Sequence, residues 1–168
     1  RYNFGENKFG ILFWGYLILA ICLTHYVLSY LNVQNSFIPW LFTPLGWVIT
    51  MLYYKKKHKY TATPVFTGKK IAFIWGLAGI NMFIVGFLSW SVVSEGIIGI
   101  ILIIYSLASF FTGVLIQYKP LIFASIVGNL IALVTLLYIP LEYQLLSMAA
   151  FVVVCSIVPG HLLPKQSY

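Results

Sequence analysis

Long hydrophobic runs separated by short polar intervals fill nearly the whole chain. Each run approaches the roughly 20 apolar residues that a helix needs to cross a bilayer. The runs are continuous rather than alternating, which favours helices over a membrane β-barrel. The pattern predicts an all-α integral membrane protein with one transmembrane domain over residues 1–168. The six predicted helices are approximately Phe9–Leu31, Phe37–Tyr54, Ile71–Val93, Gly96–Tyr118, Leu121–Ile139 and Leu141–Leu163.

The longest polar interval, from Tyr53 to Lys70, sets the predicted orientation. It contains six of the ten Lys and Arg residues. In the six-helix arrangement every Lys and Arg lies on one face, whereas Glu95 and Glu142 lie on the other. Basic residues flank membrane helices on the cytoplasmic side, so both termini are predicted to be cytoplasmic. The residues of the predicted cytoplasmic basic loop are Lys55, Lys56, Lys57, Lys59, Lys69 and Lys70.

A weak internal repeat relates the three predicted hairpins. Each odd-numbered helix has a glycine near its start, and each following even-numbered helix ends at a lysine. Hairpins at approximately 9–59, 70–119 and 120–165 are therefore predicted to be parallel repeats about an axis along the membrane normal. The alternative is that such glycines and lysines recur in any membrane protein. The intervals are 40, 43 and 37 residues, from Gly15 to Lys55, Gly76 to Lys119 and Gly128 to Lys165.

Composition and charge identify the surroundings of the chain. It is 61% hydrophobic and 8% charged, whereas a soluble domain has about 25% charged residues, so lipid is the main solvent. The net charge of +7 indicates contact with a bilayer whose cytoplasmic face carries anionic headgroups. The sequence has no basic face large enough for nucleic acid. A membrane-protein partner or a homo-oligomer is the other kind of partner expected.

Small residues share one helix face in two of the predicted helices. The third helix has Ala72, Gly76, Gly79 and Gly86 on one face together with Phe83, and the fifth has a stripe through Gly128. Small residues let membrane helices approach closely, so both stripes are predicted to be packing surfaces. A substrate groove is the alternative. The stripe on the fifth helix consists of Ala124, Gly128, Ala132 and Thr135.

Several polar residues fall within the predicted membrane helices, where they are costly in free energy. Three of them recur on one face of the first helix, one lies midway along the third, and two lie one turn apart in the fifth. If all point inward, they form a polar cluster on the repeat axis, which is a candidate binding site. The alternative is that they form hydrogen bonds between helices. The candidate residues are Cys22, His25, Ser29, Asn81, Ser125 and Asn129.

Residues that could support chemistry are few. Cys22 and His25 could share a metal ion, but a closed zinc site needs four ligands, so no metal, haem or other cofactor is expected. His161 follows Pro159-Gly160 at the inner boundary and is a candidate interface site that could meet helix carbonyls or lipid headgroups. No recognisable catalytic motif is present, so no catalytic residue is assigned and no enzyme is expected. A lipid- or cofactor-binding protein that uses His25 or His161 is a third class of function.

Short motifs suggest a family. They are Phe13-Trp14-Gly15, the basic loop, Lys119-Pro120-Leu121-Ile122 and Pro159-Gly160-His161-Leu162-Leu163. With these motifs the chain resembles, over nearly its whole length, small uncharacterised six-helix bacterial inner-membrane proteins. The resemblance implies a bacterial cytoplasmic membrane and no particular activity.

The sparse polar chemistry and the ample packing surfaces set the functional expectation. We expect a non-enzymatic accessory, scaffolding or regulatory membrane protein that acts through partners. The alternative is a small transporter or channel with a polar axis around His25, Asn81 and Asn129.

Overall fold

The computed structural model describes residues 4–58, 66–88 and 95–163. Its regular elements in this part of the chain are all helical. Helix α1 begins at Phe4, and a 3₁₀ turn at Ile38–Leu41 leads into α2. A π-helical segment, Ile84–Leu88, follows α3, and another, Val153–Ile157, interrupts α6. The helices are α1 (Phe4–Tyr30), α2 (Phe42–His58), α3 (Phe66–Phe83), α4 (Ile97–Leu115), α5 (Lys119–Tyr138) and α6 (Leu141–Leu162).

Within the described residues, five helices are long and apolar enough to cross a membrane, as in a multi-pass membrane protein. The spans lie on α1, α3, α4, α5 and α6. Helix α2 does not qualify because it has only 17 residues and ends in a basic run, Lys55 to His58. Length and composition therefore account for five of the six predicted crossings.

The described parts of the predicted basic loop, residues 53–58 and 66–70, are helical. Helix α2 continues through His58, so Lys55, Lys56 and Lys57 lie on its last turn, and α3 begins at Phe66, so Lys69 and Lys70 lie on its first turns. The predicted end of the second helix at Tyr54 was too early, because lysine has a high helix propensity and Pro64 is the first proline or glycine after the basic run. Lys59 lies outside the described residues.

The core lies between α1, α4, α5 and α6. The most extensive interfaces join α4 to α5 and α1 to α6, and α5 also packs on α6. Small residues permit these close contacts. A β-carbon on Gly99 of α4 would lie 2.6 Å from Leu136 of α5, and one on Gly160 of α6 would lie 2.7 Å from Leu12 of α1. The buried apolar cluster is Ile18, Cys22, Leu102, Ala132, Met148, Ala149, Phe151, Val152 and Cys155.

Helices α2 and α3 lie at the periphery. Helix α2 packs mainly on α1, and α3 packs mainly on α4. A threefold repeat would require α2 and α3 to share an interface comparable to the one between α4 and α5. In the described parts of α2 and α3 the contact is slight, with Trp47 lying 3.4 Å from the β-carbon position of Gly79. The three equivalent interfaces expected from the repeat are therefore not all present among the described residues.

A tight joint connects α4 to α5. Gln117 has a φ of 53°, and its N–H donates to the carbonyl of Val114, while the N–H of Tyr118 donates to the carbonyl of Gly113. This pair of bonds is the Schellman motif, in which a left-handed residue ends a helix. Pro120 then lies in the first turn of α5, where its missing N–H costs little. The joint sets α4 and α5 side by side in opposite directions.

Candidate functional site

Tyr105 of α4 is at the centre of the polar contacts in the core. Its hydroxyl and that of Ser156 in α6 share a hydrogen bond of 2.6 Å. Its ring meets those of Trp75 and Phe151 edge to face, with centroids 5.0 and 5.5 Å apart. Trp75 of α3 in turn donates from Nε1 to the Thr112 hydroxyl at 3.1 Å. Tyr105 and Trp75 together therefore join α3, α4 and α6.

Two of the predicted cluster residues satisfy their hydrogen bonds in or beside the α4–α5 interface. Asn129 of α5 donates from Nδ2 to the hydroxyl of Ser106 in α4 at 2.9 Å. Ser125 is buried, and its hydroxyl donates to the carbonyl of Leu121 one turn earlier, at 2.7 Å. The Asn129 bond joins two helices, as in the alternative considered for the cluster, whereas the Ser125 bond stays within α5.

The two cysteines are free thiols, buried on different helices. Cys22 of α1 lies in the apolar cluster. The Cys155 thiol of α6 donates to the carbonyl of Ala124 in α5 at 3.2 Å. Within the described residues, no three His, Cys, Asp or Glu side chains gather as a metal site.

His25 connects α1 to the turn before α2. Its Nδ1 accepts a hydrogen bond of 2.9 Å from Nε1 of Trp40. Because Nδ1 accepts, it carries no proton in this arrangement. Ser29, one turn further along α1, is exposed. His25 therefore orients the 3₁₀ turn.

Asn81 does not join the other cluster residues. It is exposed on α3, and its Nδ2 donates to the Leu77 carbonyl of the same helix at 2.8 Å. A cluster of all six candidates required each of them to point inward, and Asn81 is exposed instead. The physical reason is that α3 lies at the edge of the bundle, so the face that carries Asn81 has no helix opposite it in the described structure.

His161 contacts α1 near the end of the described chain. Its Nε2 and the Tyr16 hydroxyl share a hydrogen bond of 2.7 Å. Lys8 of α1 donates to the Leu163 carbonyl at 3.1 Å, so a lysine rather than the histidine caps this end. The Tyr118 hydroxyl donates to the Pro159 carbonyl at 2.9 Å, and burial raises the pKa of Tyr118, which keeps the phenol a neutral donor.

Gln144 is a structural residue that the sequence analysis missed. It is buried, and its Nε2 donates to the carbonyls of Glu95 at 2.7 Å and Ile139 at 3.0 Å. The side chain thus holds together the start of α4, the end of α5 and the start of α6. The sequence feature that could have identified Gln144 is a long polar side chain about one turn after the start of a predicted helix. Trp40, Trp75 and Tyr105 were also missed, although buried Trp and Tyr usually place their N–H or O–H on a partner.

The glycines differ between the core helices and α3. A β-carbon on Gly113 of α4 would lie 2.9 Å from Ile122, and one on Gly15 of α1 would lie 3.1 Å from Ser156. In contrast, among the described residues nothing packs within 4 Å of that position at Gly68 and Gly76 of α3. The predicted packing stripe of α5 is therefore used inside the bundle, whereas the α3 stripe is open at Ala72 and Gly76 but contacts Trp47 at Gly79 and Ile101 at Gly86.

Comparisons with protein families, curated proteins and solved structures find no match to this chain. Its function is therefore argued from the contacts and open surfaces described above.

Proposed function

We propose that this chain is a non-enzymatic accessory, scaffolding or regulatory protein of the bacterial cytoplasmic membrane that acts by binding another membrane helix. The observation that supports the proposal is the open small-residue face of α3. Ala72 is exposed, and in the part of the chain that the structure describes no atom of another element lies within 4 Å of the β-carbon position of Gly76. Without a hydrophobic drive in lipid, membrane helices associate where small residues allow close approach.

The partner helix would lie along the face that contains Ala72, Gly76 and Gly79, beside the indole of Trp47. Phe73 and Leu77, which flank this face, are 73% and 54% exposed. They provide the large side chains that close packing around a glycine requires. A second copy of the chain and a different membrane protein both meet this description.

The placement of the polar residues supports this proposal over transport. The transport alternative needs Asn81 and Asn129 on one water-accessible axis. Asn81 is exposed on α3 and bonds its own helix, whereas Asn129 bonds Ser106 between α4 and α5. Neither geometry favours a shared pathway.

The proposed topology has six crossings and cytoplasmic termini. The 3₁₀ turn and α2 form one continuous stretch, and residues 38–54 comprise 17 residues before the first lysine, which meets the lower limit of about 17 for a membrane helix. A crossing at α2 places all ten Lys and Arg residues on one face, in agreement with the positive-inside rule. The hairpin repeat remains a proposal based on the glycine-to-lysine intervals.

Co-purification after mild solubilisation tests the proposal. We expect the wild-type chain to be recovered in a stoichiometric complex, either with itself or with one membrane protein. Gly76→Leu should abolish the complex because the added side chain fills the open face. Ala20→Leu is the matched control, since Ala20 is an exposed small residue of α1. A strictly monomeric wild-type protein, or equal complex formation by both variants, would contradict the proposal.

A further inference from the structure

A groove lies between the start of α3 and the end of α4. Its volume is about 450 Å³, and its apolar wall includes Phe73, Phe111 and Val114. Phe73 and Phe111 stand at the sides of the groove, with 73% and 52% of their surfaces exposed. The bond from Trp75 to Thr112 fixes α3 against α4 at this level. The groove is therefore a shaped recess in a surface that otherwise contacts lipid.

Two lysines line one end of this groove. Lys69 and Lys70 are both exposed. They precede Phe73 by four and three positions, so helical geometry places them one turn away on the same side of α3. Two of the three acidic residues, Glu95 and Glu142, lie just before α4 and in the first turn of α6, and the third, Glu6, lies in the first turn of α1. The groove therefore joins an apolar wall to a positively charged rim.

From this arrangement we infer that the α3–α4 groove is a binding site for an anionic glycerophospholipid. One acyl chain lies along Phe73, Phe111 and Val114, and the phosphate faces Lys69 and Lys70. Basic pockets between membrane helices bind anionic headgroups in this manner. A neutral lipid fits the apolar part equally well, so the two lysines provide the preference for negative charge. The groove and the glycine face meet at Phe73, whereas Phe111 and Val114 of α4 belong to the groove alone.

The test compares bound lipids on the full-length protein. Wild type and variants are reconstituted in an equimolar mixture of phosphatidylglycerol and phosphatidylcholine with identical acyl chains, then extracted mildly and examined by native mass spectrometry at low ionic strength. We expect wild type to retain phosphatidylglycerol preferentially. The double variant Lys69→Gln/Lys70→Gln should lower that retention about tenfold, because each lysine near a lipid surface contributes several-fold to anionic-lipid binding.

Two further variants show whether lipid retention depends on this groove: a control substitution of another lysine pair, and a substitution that fills the groove. Lys55→Gln/Lys56→Gln removes an equally exposed, adjacent pair from the end of α2 and should leave retention unchanged. Val114→Trp fills the groove and should lower retention of both lipids. Equal losses from the two lysine pairs would mean only general attraction to the bilayer and would overturn the site. Unchanged retention in Val114→Trp, or displacement of the lipid by excess glycerol phosphate, would overturn the role of the groove.

Discussion

The sulfur of Cys155 lies against Gly128 so closely that a β-carbon on the glycine would overlap it. The two residues face each other across the interface of α5 and α6. The same thiol donates to the Ala124 carbonyl, one turn earlier on α5. Gly128 is also next to the ring of Phe151, so neither helix can give way without disturbing the core.

We therefore predict that Gly128→Ala destabilises the protein by about 1–3 kcal/mol through overpacking. The measurement is the free energy of unfolding from SDS titration in mixed micelles, followed by circular dichroism. Gly76→Ala is the control. Its β-carbon enters open space, and alanine is the better helix former by up to about 1 kcal/mol, so this variant should be neutral or stabilised.

The contact between Cys155 and Gly128 also predicts which second substitution restores stability to Gly128→Ala. Cys155→Ala removes the sulfur, so the double variant Gly128→Ala/Cys155→Ala should be more stable than the sum of the single effects implies. We expect a coupling of about 0.5–3 kcal/mol, as for other residues in direct contact. Additive effects would show that the overlap between these two positions does not limit the packing.

The membrane class and the helix count followed from the hydrophobic runs, but the relation between the hairpins did not. Runs such as Leu121–Ile139 are nearly uniform in hydropathy, so they locate a helix without marking which face is buried. The small-residue stripes of α3 and α5 look alike in sequence. Gly128 packs in the core whereas Gly76 faces outwards, because the position of the whole helix in the bundle decides which stripe is covered.

The polar residues illustrate the same limit. Hydrogen-bonding capacity at membrane depth was visible for His25 and Asn129, and both have partners on another element. The sequence did not identify the residues that bond to them, Trp40 and Ser106. Each lies on a different element, so helical periodicity does not connect it to His25 or Asn129. Asn81 has the same capacity but bonds its own helix, a choice that side-chain type alone does not determine.

Gln117 provides a prediction of increased stability. Its φ of 53° lies in the left-handed region, which costs about 1–2 kcal/mol for a residue with a β-carbon. Glycine is the usual residue at this position of the Schellman motif, so Gln117→Gly should stabilise the protein by about 1 kcal/mol. The side chain is exposed, so little else is lost. Leu115→Gly, at the last helical residue of α4, is the contrasting control and should destabilise, as measured by thermal unfolding in detergent.

The bond between Trp40 and His25 should stabilise the packing of α2 on α1. Trp40→Phe keeps an aromatic ring but removes the Nε1 donor, and the loss of one hydrogen bond typically costs about 0.5–1.5 kcal/mol. In a His25→Leu background the same substitution should have a much smaller effect, because the acceptor is already absent. A double-mutant cycle from SDS-titration unfolding measures the coupling. Equal effects of Trp40→Phe in both backgrounds would contradict a direct contribution of this bond.

The crossing of α2 decides the topology and can be tested with single added cysteines. The native thiols give little background because Cys22 and Cys155 are 0% and 1% exposed. Gln34, in the turn after α1, and Lys55, on the last turns of α2, are both exposed. In intact spheroplasts, a membrane-impermeant maleimide should label Gln34→Cys but not Lys55→Cys. Permeabilisation should make Lys55→Cys reactive.

Lys119→Cys, at the exposed joint between α4 and α5, completes the topology experiment. With six crossings and cytoplasmic termini it must behave like Lys55→Cys, because Lys55 lies at the end of α2 and Lys119 at the joint after α4, on the same side of the membrane. Labelling of both Gln34→Cys and Lys55→Cys in intact spheroplasts would mean that α2 lies on the outer surface and that only five helices cross. Protection of Gln34→Cys with labelling of Lys55→Cys and Lys119→Cys would reverse the orientation. The positive-inside rule disfavours that arrangement, since all ten Lys and Arg residues would then face outwards.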